Sequence, residues 1–273
     1  MSENTDLMQK IVSLAKRRGF VFQGSEIYGG LAGTYDYGPL GALLKNNVKD
    51  SWLKKFVHSR TDMYLVDAAI LMNQNVWKAT GHVDHFSDPL TEDLKTNKRY
   101  RADNLIEEKG FNVTGLTISE MSDLIKENNV LSPDGNKLGE VRQFNMMLQT
   151  KVGASEDSAA TSYLRPETAQ GIFVNFKNVV DSMNPKMPFG IAQIGKAFRN
   201  EITPRDFIFR LRELEQMEIE YFVKPSEWSQ HFEYWRDEML EWMTSVGLDM
   251  KKVHDVEIGD GDRAHYSART IDF

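Results

Sequence analysis

The chain has 273 residues, 41% of them hydrophobic, and a formal net charge of −7 at pH 7. This length allows one large domain or two modest ones, each with a core, and the acidic balance gives no sign of a general nucleic-acid binder. Zero cysteines exclude disulfides and thiolate-held zinc. The polar start and the lack of a long apolar run predict a cytoplasmic protein with no membrane span.

The first 60 residues predict two helices separated by a loop rich in glycine and tyrosine. Apolar residues at helical spacing predict a helix over residues 5–18, with Thr5 as its cap and Gly19 at its end. The second helix should run from Pro39 to about Val57, because proline suits a first helical turn. The glycines of the loop require tight turns, but they match neither a phosphate-binding loop nor a dinucleotide fingerprint.

Residues 61–70 predict a strand, and the irregular connection after it contains His82 and His85, which we interpret as loop residues and not as metal ligands. The polar stretch that follows predicts a short helix over residues 119–128 and a turn at 132–135. A basic cluster precedes that helix, and a solvated loop explains it more simply than a nucleic-acid site does: Lys95, Lys98, Arg99 and Arg101.

Residues 142–180 predict a buried strand and then a helix. Residues 146–148 are apolar enough for the strand, and Pro166 marks a helix that starts near Glu167. A carboxylate at a helix start interacts favourably with the helix dipole, so this glutamate alone does not indicate a site. Another amphipathic helix is predicted over residues 225–247.

Residues 189–222 predict two strands joined by a charged loop at 203–206. Side chains repeat every second residue on a strand, so Arg199 and Glu201 share a face at the end of the first strand. The second strand carries a polar row on one face: Arg212, Leu214, Gln216, Glu218 and Glu220. This row fits a solvated, salt-bridged hairpin or a nucleotide site, because arginine pairs with phosphate and a carboxylate accepts from an exocyclic amine.

Several motifs carry a family resemblance. FRNE at 198–201, followed by a loop and RLRELEQMEIEYF at 210–222, closely resembles motif 2 of the class II aminoacyl-tRNA synthetases, specifically of the glycyl-tRNA synthetases of the homodimeric type. YGGLAGTYDYGPLG at 28–41 and LRPETAQG at 164–171 resemble that family's opening segment and its glycine signature. WKATGH, RADNL and the final HYSARTID resemble further segments of the same family.

The resemblance implies an α+β fold, with a class II antiparallel β-sheet flanked by helices. It implies one catalytic domain over residues 1–273 with a polar insertion at about 91–140. Motif 3 and the anticodon-binding domain have no counterpart here, so we expect an incomplete catalytic domain, truncated before motif 3. The motif 1 helix implies a homodimer, although the same helix could also pack within its own subunit.

The implied activity is glycine–tRNA ligation: ATP-dependent formation of glycyl-adenylate, with Mg²⁺ on the phosphates, and transfer to the 3′ end of tRNA(Gly). Arg199 is the implied catalytic residue on the α-phosphate, Glu201 accepts from the adenine amine, and Glu167 and Glu218 hold the glycine ammonium. No metal is held by the protein itself. The implied ATP-binding residues are Arg199, Asn200, Glu201, Phe209, Arg210, Leu211, Arg212, Glu213 and Leu214. The implied glycine and adenylate residues are Arg101, Glu167, Leu214, Glu215, Gln216, Met217 and Glu218.

One departure and two alternatives remain at this point. Leu214 stands where relatives have an aromatic residue under adenine, which implies weaker ATP binding. A non-catalytic synthetase-like binding or regulatory module is an alternative, although the charged residues of motif 2 are retained. A synthetase for threonine, proline or serine is another, against which LRPETAQG and LEQME argue.

Overall fold

A computed structural model describes residues 2–153, 161–204, 207–261, 263–264 and 266–273, with side chains from residue 7 onward. Its helices are α1 (Ser2–Arg17), α2 (Pro39–Leu53), α3 (Gln74–Ala79), α4 (His82–His85), α5 (Ala102–Glu107), α6 (Ile118–Glu127), α7 (Ala169–Met183) and α8 (Trp228–Ser245). Its strands are β1 (Val21–Gln23), β2 (Tyr35–Tyr37), β3 (Met63–Leu65), β4 (Leu71–Met72), β5 (Ser87–Glu92), β6 (Arg99–Arg101), β7 (Arg142–Asn145), β8 (Gln149–Lys151), β9 (Thr161–Leu164), β10 (Phe189–Phe198), β11 (Glu213–Phe222), β12 (Val256–Glu257) and β13 (Ile271–Asp272).

The centre of the fold is a three-stranded sheet in the order β11–β10–β3. β10 and β11 form the predicted antiparallel hairpin, in which Phe189 lies opposite Phe222 and Phe198 lies opposite Glu213. β3 pairs with the other edge of β10 in the parallel direction, with Met63 opposite Gly190. The predicted α+β class is therefore confirmed, and the added parallel strand makes this sheet mixed.

The alternation of side chains gives the central sheet two different faces. One face packs on α2, on the π-helical turn Lys54–His58 that extends it, and on α8; its buried residues are Trp52, Phe56, Val57, Met63 and Ala192. The opposite face packs on α7 through Ile172, Val179, Phe189 and Ile191. In β11 the even-numbered residues 214–222 thus face α7, and the odd-numbered residues face α2 and α8. A polar group on an even position is directed toward the α7 side.

The start of α2 is set by a close approach of two backbones. Pro39 is the first residue of α2, as predicted, and Gly41 lies against the segment after α1. A Cβ at Gly41 would overlap the carbonyl oxygen of Phe20 and lie 2.7 Å from its carbonyl carbon. Glycine is therefore required here for packing, although it is a poor helix former.

The polar insertion folds around a core of its own. β5 pairs with both β6 and β7, and α5 and α6 pack beside this sheet. The buried residues of this cluster are Ala102, Leu105, Ile106, Met121, Ile125, Val130, Leu138 and Val141. Thr117 and Glu120 form a reciprocal capping box at the start of α6, which explains why a helix begins in this charged stretch.

Some element boundaries differ from the predictions. The strand predicted over residues 61–70 is limited to β3, because the Ala68 carbonyl accepts from Arg165 Nη1 at 2.7 Å instead of continuing the ladder. Residues 146–148 lie between β7 and β8, where Asn145 Oδ1 accepts from the Met147 amide at 2.7 Å and turns the chain. α1 begins at Ser2, so Thr5 lies inside that helix and does not cap it. Of the charged loop at 203–206, positions 205 and 206 fall outside the described residues.

Among the described residues, no helix has both the length and the apolar character needed to cross a bilayer.

Candidate functional site

The start of α7 is fastened to the polar row of β11. The Thr168 amide donates to Gln216 Oε1 at 3.0 Å, and the Thr168 hydroxyl donates to the Glu218 carboxylate. Thr168 is fully buried. In the hairpin register, Gly195 lies opposite Gln216 and Gln193 lies opposite Glu218, so all four positions face the same side. The predicted carboxylates Glu167 and Glu218 are thus brought to one place.

Glu167 is held by two side chains. Its Oε1 accepts from Gln170 Nε2 at 2.6 Å and lies 3.2 Å from His82 Nε2. The hydrogen bond from His82 lowers the pKa of Glu167 below its ordinary value, with Gln170 and the charge of Arg199 acting in the same direction against the effect of burial. This carboxylate is therefore kept ionised.

Two further carboxyls lie close to Glu167, and their pKa values are shifted upward instead of downward. Burial raises the pKa of Glu218, and the negative charge of Glu167 adds to this. Burial also raises the pKa of Glu220 to about 7, together with the charges of Glu218 and Glu167. Because three carboxyls repel one another here, a bound cation would relieve the repulsion and favour their ionised forms.

Arg199 lies next to this carboxylate group. Its backbone amide donates to the Arg212 carbonyl at 2.9 Å, which continues the hairpin beyond β10. Its Nε donates to the Pro166 carbonyl at 3.1 Å, directly before Glu167 in the chain. The guanidinium lies 5.7 Å from the centre of the Phe86 ring. A cationic group is thus positioned beside the carboxylates, where a molecule carrying both charges can bind.

A cavity of about 210 Å³ adjoins Arg199. Its lining residues are Arg199, Glu201, Ile208, Phe209, Arg210, Leu211 and Leu214. Glu201 is 7% exposed and accepts from Arg210 Nε at 3.0 Å. Arg212 donates through Nη2 to the Glu201 carbonyl at 2.9 Å and through Nη1 to the Ala32 carbonyl at 2.7 Å. The cavity combines cations, one carboxylate and an apolar wall, a chemistry that suits part of a nucleotide.

Three predicted residues are placed on the other face of the sheet. Glu215 pairs with Lys49 at 2.5 Å and with Lys45 at 3.0 Å on α2, and Glu213 pairs with Lys196. Met217 packs in the core beneath α2 and α8. Consecutive residues of a strand point to opposite faces, so the expected run 213–218 cannot all line one site. We therefore remove these three residues from the candidate site.

The remaining predicted residues lie near the nucleotide-like cavity but not all in it. Arg101 makes a two-point ion pair with Asp103 and lies 3.2 Å from Asp88, and its charge interacts with that of Glu201. The Asn200 amide donates to the Met146 carbonyl at 2.8 Å, so its backbone is a structural tie. Arg101 and Asn200 thus lie near the cavity, and each is held there by the bonds just described.

Other polar residues of the site escaped the sequence analysis. Gln193 is fully buried, and in the described part of the chain neither of its amide atoms has a hydrogen-bond partner. Arg165 is 2% exposed, its Nε donates to the Lys196 carbonyl at 2.6 Å, and burial lowers its pKa. A Cβ at Gly195 would lie 3.1 Å from the Arg165 Cζ atom and overlap its Nη2. Counting by two along β10 puts Gln193 on the same side as Gly195, but nothing in the sequence pattern marks it as buried.

His82 was also missed, because it was interpreted as a loop residue. It is the first residue of α4 and contacts Glu167, as described above. The WKATGH segment that contains it was the available signal. Within the described ranges, no group of three or more histidine, cysteine, aspartate or glutamate residues is arranged to hold a metal ion.

Known proteins resemble this chain in sequence and in fold. Residues 151–272 match the tRNA synthetase class II core domain (G, H, P, S and T). The structure resembles that of the RNA binding domain of threonyl-tRNA synthetase from Cryptosporidium parvum, with a TM-score of 0.51 at 16% identity, over 86% of this chain and 42% of that one. At that identity the likeness concerns the fold alone. Residues 151–272 thus resemble the core domain of the class II aminoacyl-tRNA synthetases.

Over nearly its whole length the chain is similar in sequence to glycine–tRNA ligases. It is 52% identical over 97% of its length to glycine–tRNA ligase of Bacillus anthracis, of which it covers 60%. It is 52% identical to that of Caldanaerobacter subterraneus and 48% identical to that of Deinococcus radiodurans, covering 59% and 57% of those proteins. The chain thus spans about three fifths of the length of these relatives.

Proposed function

We propose that this chain forms the glycine- and ATP-binding part of a glycine–tRNA ligase. The observation that carries the proposal is the meeting of Glu167 and Glu218 at the Thr168 bridge, directly beside Arg199. An α-amino acid carries an ammonium and a carboxylate on the same carbon atom, and this arrangement offers opposite charges at adjacent positions. The relatives named above are glycine–tRNA ligases, which makes glycine the first candidate.

The proposed glycine site works by charge and by lack of space. Glu167 and Glu218 bind the ammonium, and Gln216 lines the same pocket through its bond to Thr168. Glycine has no side chain to hold, so selectivity depends on excluding a methyl group, which typically changes binding by about 1–3 kcal/mol. The substrate cation also offsets the repulsion among the carboxyls.

The proposed nucleotide site is the cavity beside Arg199. Arg199 binds the α-phosphate and stabilises the charge that develops as the glycine carboxylate attacks it, while Glu201 accepts from the adenine amine. Arg210 and Arg212 lie along the phosphates or the adenine, and Leu214 and Phe209 supply apolar contact. Such chemistry depends on positioning and charge neutralisation more than on a covalent nucleophile. Mg²⁺ bound to ATP would help to neutralise the phosphate charge, beside the arginines named above.

The larger assembly is also part of the proposal. Residues 1–273 form one catalytic domain with the insertion at about 91–140, and the glycyl group is passed to the 3′ end of tRNA(Gly). A homodimer through α2 is supported by exposed apolar residues on α1 and α2: Leu7, Ile11, Leu14, Leu40, Leu43 and Leu44. A large exposed apolar patch is typical of an interaction surface.

Calorimetric titration of the chain with a non-hydrolysable glycyl-adenylate analogue tests the proposal, with the alanyl analogue beside it. We expect the glycyl form to bind at least about tenfold more tightly than the alanyl form. Glu167→Gln should weaken the glycyl form by roughly tenfold or more, because a hydrogen-bonded charge is lost. Glu127→Gln, on the exposed side of α6, is the matched control and should leave binding unchanged.

The alternative function is a synthetase-like binding or regulatory module without glycine activation. A folded chain that binds neither analogue would contradict the glycine site and favour this alternative. Preferential binding of another aminoacyl-adenylate analogue would still support an aminoacyl-tRNA synthetase, but it would contradict glycine as the substrate.

A further inference from the structure

His82 occupies a position between the aromatic core of its segment and the candidate ammonium site. Its ring meets Trp77 edge-on at 5.5 Å between centres and lies 5.5 Å from Phe86. Trp77 is fully buried, and the side chain of His82 is 14% exposed. Two rings therefore fix the plane of the imidazole, which leaves its two nitrogens to be directed at specific partners.

Both imidazole nitrogens have partners. Nδ1 lies 2.8 Å from Thr80 Oγ1, and Nε2 lies 3.2 Å from Glu167 Oε1. The ionised carboxylate only accepts, so Nε2 must carry a proton. The Thr80 hydroxyl also contacts the Val76 carbonyl at 3.0 Å, so the threonine is itself held by α3. With Nε2 protonated, a neutral ring accepts at Nδ1 from the single Thr80 hydroxyl proton, so the histidine is bonded to Thr80 at the end of α3 and to Glu167.

The contacts on Glu167 are one-sided. Gln170 Nε2 and His82 Nε2 both approach Oε1, so the two donors fix the orientation of the carboxylate from one side. Among the described residues none donates a hydrogen bond to Oε2, which can accept from a further donor. The other charged groups around it are Glu218, Glu220 and Arg199.

The same segment is linked to the arginine that lies beside the carboxylates. Phe86 contacts both the His82 ring and the Arg199 guanidinium, at 5.5 and 5.7 Å. The Phe86 carbonyl accepts from the Met146 amide at 2.9 Å, and the Met146 carbonyl accepts from the Asn200 amide at 2.8 Å. These contacts connect residues 82–86 to the end of the hairpin.

We propose that His82 is a positioning residue for glycine recognition: it holds Oε1 of Glu167 so that Oε2 faces the ammonium. This role rests on the proposed glycine site and goes beyond it, since His82 does not touch the substrate. A histidine that only filled space would be replaceable by a ring without a donor. A positioning histidine is replaceable only by a side chain that donates from the place of Nε2, and glutamine is one.

The test compares His82→Phe, His82→Gln and the control His85→Phe, an exposed histidine of the same helix. Each is titrated with the glycyl-adenylate analogue and with a deamino analogue in which an acetyl group replaces glycyl. We expect His82→Phe to bind the glycyl analogue about tenfold more weakly and to bind the deamino analogue with unchanged affinity. His82→Gln and His85→Phe should bind both as the unaltered chain does.

A second readout is independent of the nucleotide: the carboxyl carbon of Glu167 is titrated by NMR in the free chain. Loss of the histidine donor should raise the pKa of Glu167 in His82→Phe and much less in His82→Gln. Unchanged glycyl binding in His82→Phe, or equal loss of both analogues, would overturn the positioning role while leaving the glycine site intact. If the unaltered chain does not prefer the glycyl analogue, the proposed glycine site fails, and the role of His82 in glycine binding fails with it.

Discussion

Replacement of Glu220 by glutamine should remove most of the pH dependence of stability between pH 4.5 and 7. Burial raises the pKa of Glu220 from 4.5 to about 7 in the folded chain, and the charges of Glu218 and Glu167 add to this. Over this range the folded chain retains a proton that the unfolded chain has released, so the free energy of unfolding falls as pH rises. A pKa difference of about 2.5 corresponds to roughly 3 kcal/mol, and the whole loss is present above pH 7.

Glutamine has nearly the same shape as glutamate and does not ionise. Glu220→Gln should therefore match the unaltered chain near pH 5 and exceed its stability at pH 8 by up to roughly 3 kcal/mol. Glu218 contributes in the same direction and Glu167 in the opposite direction, because their pKa values are raised and lowered, respectively. Some pH dependence should thus remain in the variant.

Urea unfolding followed by tryptophan fluorescence at pH 5, 6, 7 and 8 measures this effect. The control is Glu127→Gln on the exposed side of α6, whose curve should run parallel to that of the unaltered chain. Parallel curves for Glu220→Gln itself would refute the reasoning, because they would mean that Glu220 is already ionised at pH 5 in the folded state.

Three further substitutions test the packing, an ion pair and the nucleotide cavity. Gly41→Ala should destabilise the chain by roughly 1–3 kcal/mol in thermal melts, because the overlap with the Phe20 backbone outweighs the better helix propensity of alanine. Asp62→Asn should cost about 1–3 kcal/mol in urea unfolding at pH 7, since Arg60 loses a two-point partner. Although burial opposes it, hydrogen bonding from Arg60 lowers the pKa of Asp62, so this deficit should narrow as pH falls below about 3.8. Leu214→Phe should tighten ATP binding by roughly 2–10-fold in calorimetry, because a ring offers more stacking area.

Each of these three has a control and an opposing outcome. Asn47→Ala, exposed on α2, should change the melting temperature little, and a stabilised Gly41→Ala would show that the two backbones can separate. Asp123→Asn, exposed on α6, should leave stability unchanged, and a pH-independent deficit in Asp62→Asn would contradict the ion-pair explanation. Leu248→Phe, at an exposed position, is the control for Leu214→Phe. Unchanged ATP affinity in Leu214→Phe would mean that the adenine does not lie against this residue.

The local pattern was sufficient to predict the hairpin. Alternation from 189 to 222 predicted β10 and β11 and put Gln216, Glu218 and Glu220 on one face, because side-chain direction on a strand depends only on the count. The same count separates Glu215 and Met217 from them. The family resemblance assigned Glu215 and Met217 to the site because they lie within the motif. The alternation of side chains along the strand instead places them on the opposite face of the sheet.

Contacts between distant segments could not be predicted in the same way. The parallel strand β3 joins β10 across more than a hundred residues, and its three-residue ladder leaves no periodic signal. The bond between His82 and Glu167 depends on how α4 and α7 meet in space. The role of Thr168, which lies between Glu167 and α7, depends on its hydrogen bond to Glu218, 50 residues away in the chain.

The insertion between β5 and β7, called the excursion below, is a region whose sequence and length can change independently of the central sheet. The chain leaves and returns through adjacent antiparallel strands, with Ser87 opposite Asn145. The buried residues of the core beyond these strands lie between 102 and 141 in the part of the chain that is described. Descendants can lengthen, shorten or rebuild that excursion while the two entry strands keep their register. Diversity among lineages should therefore accumulate there, and the hairpin that carries the carboxylates should be inherited nearly intact.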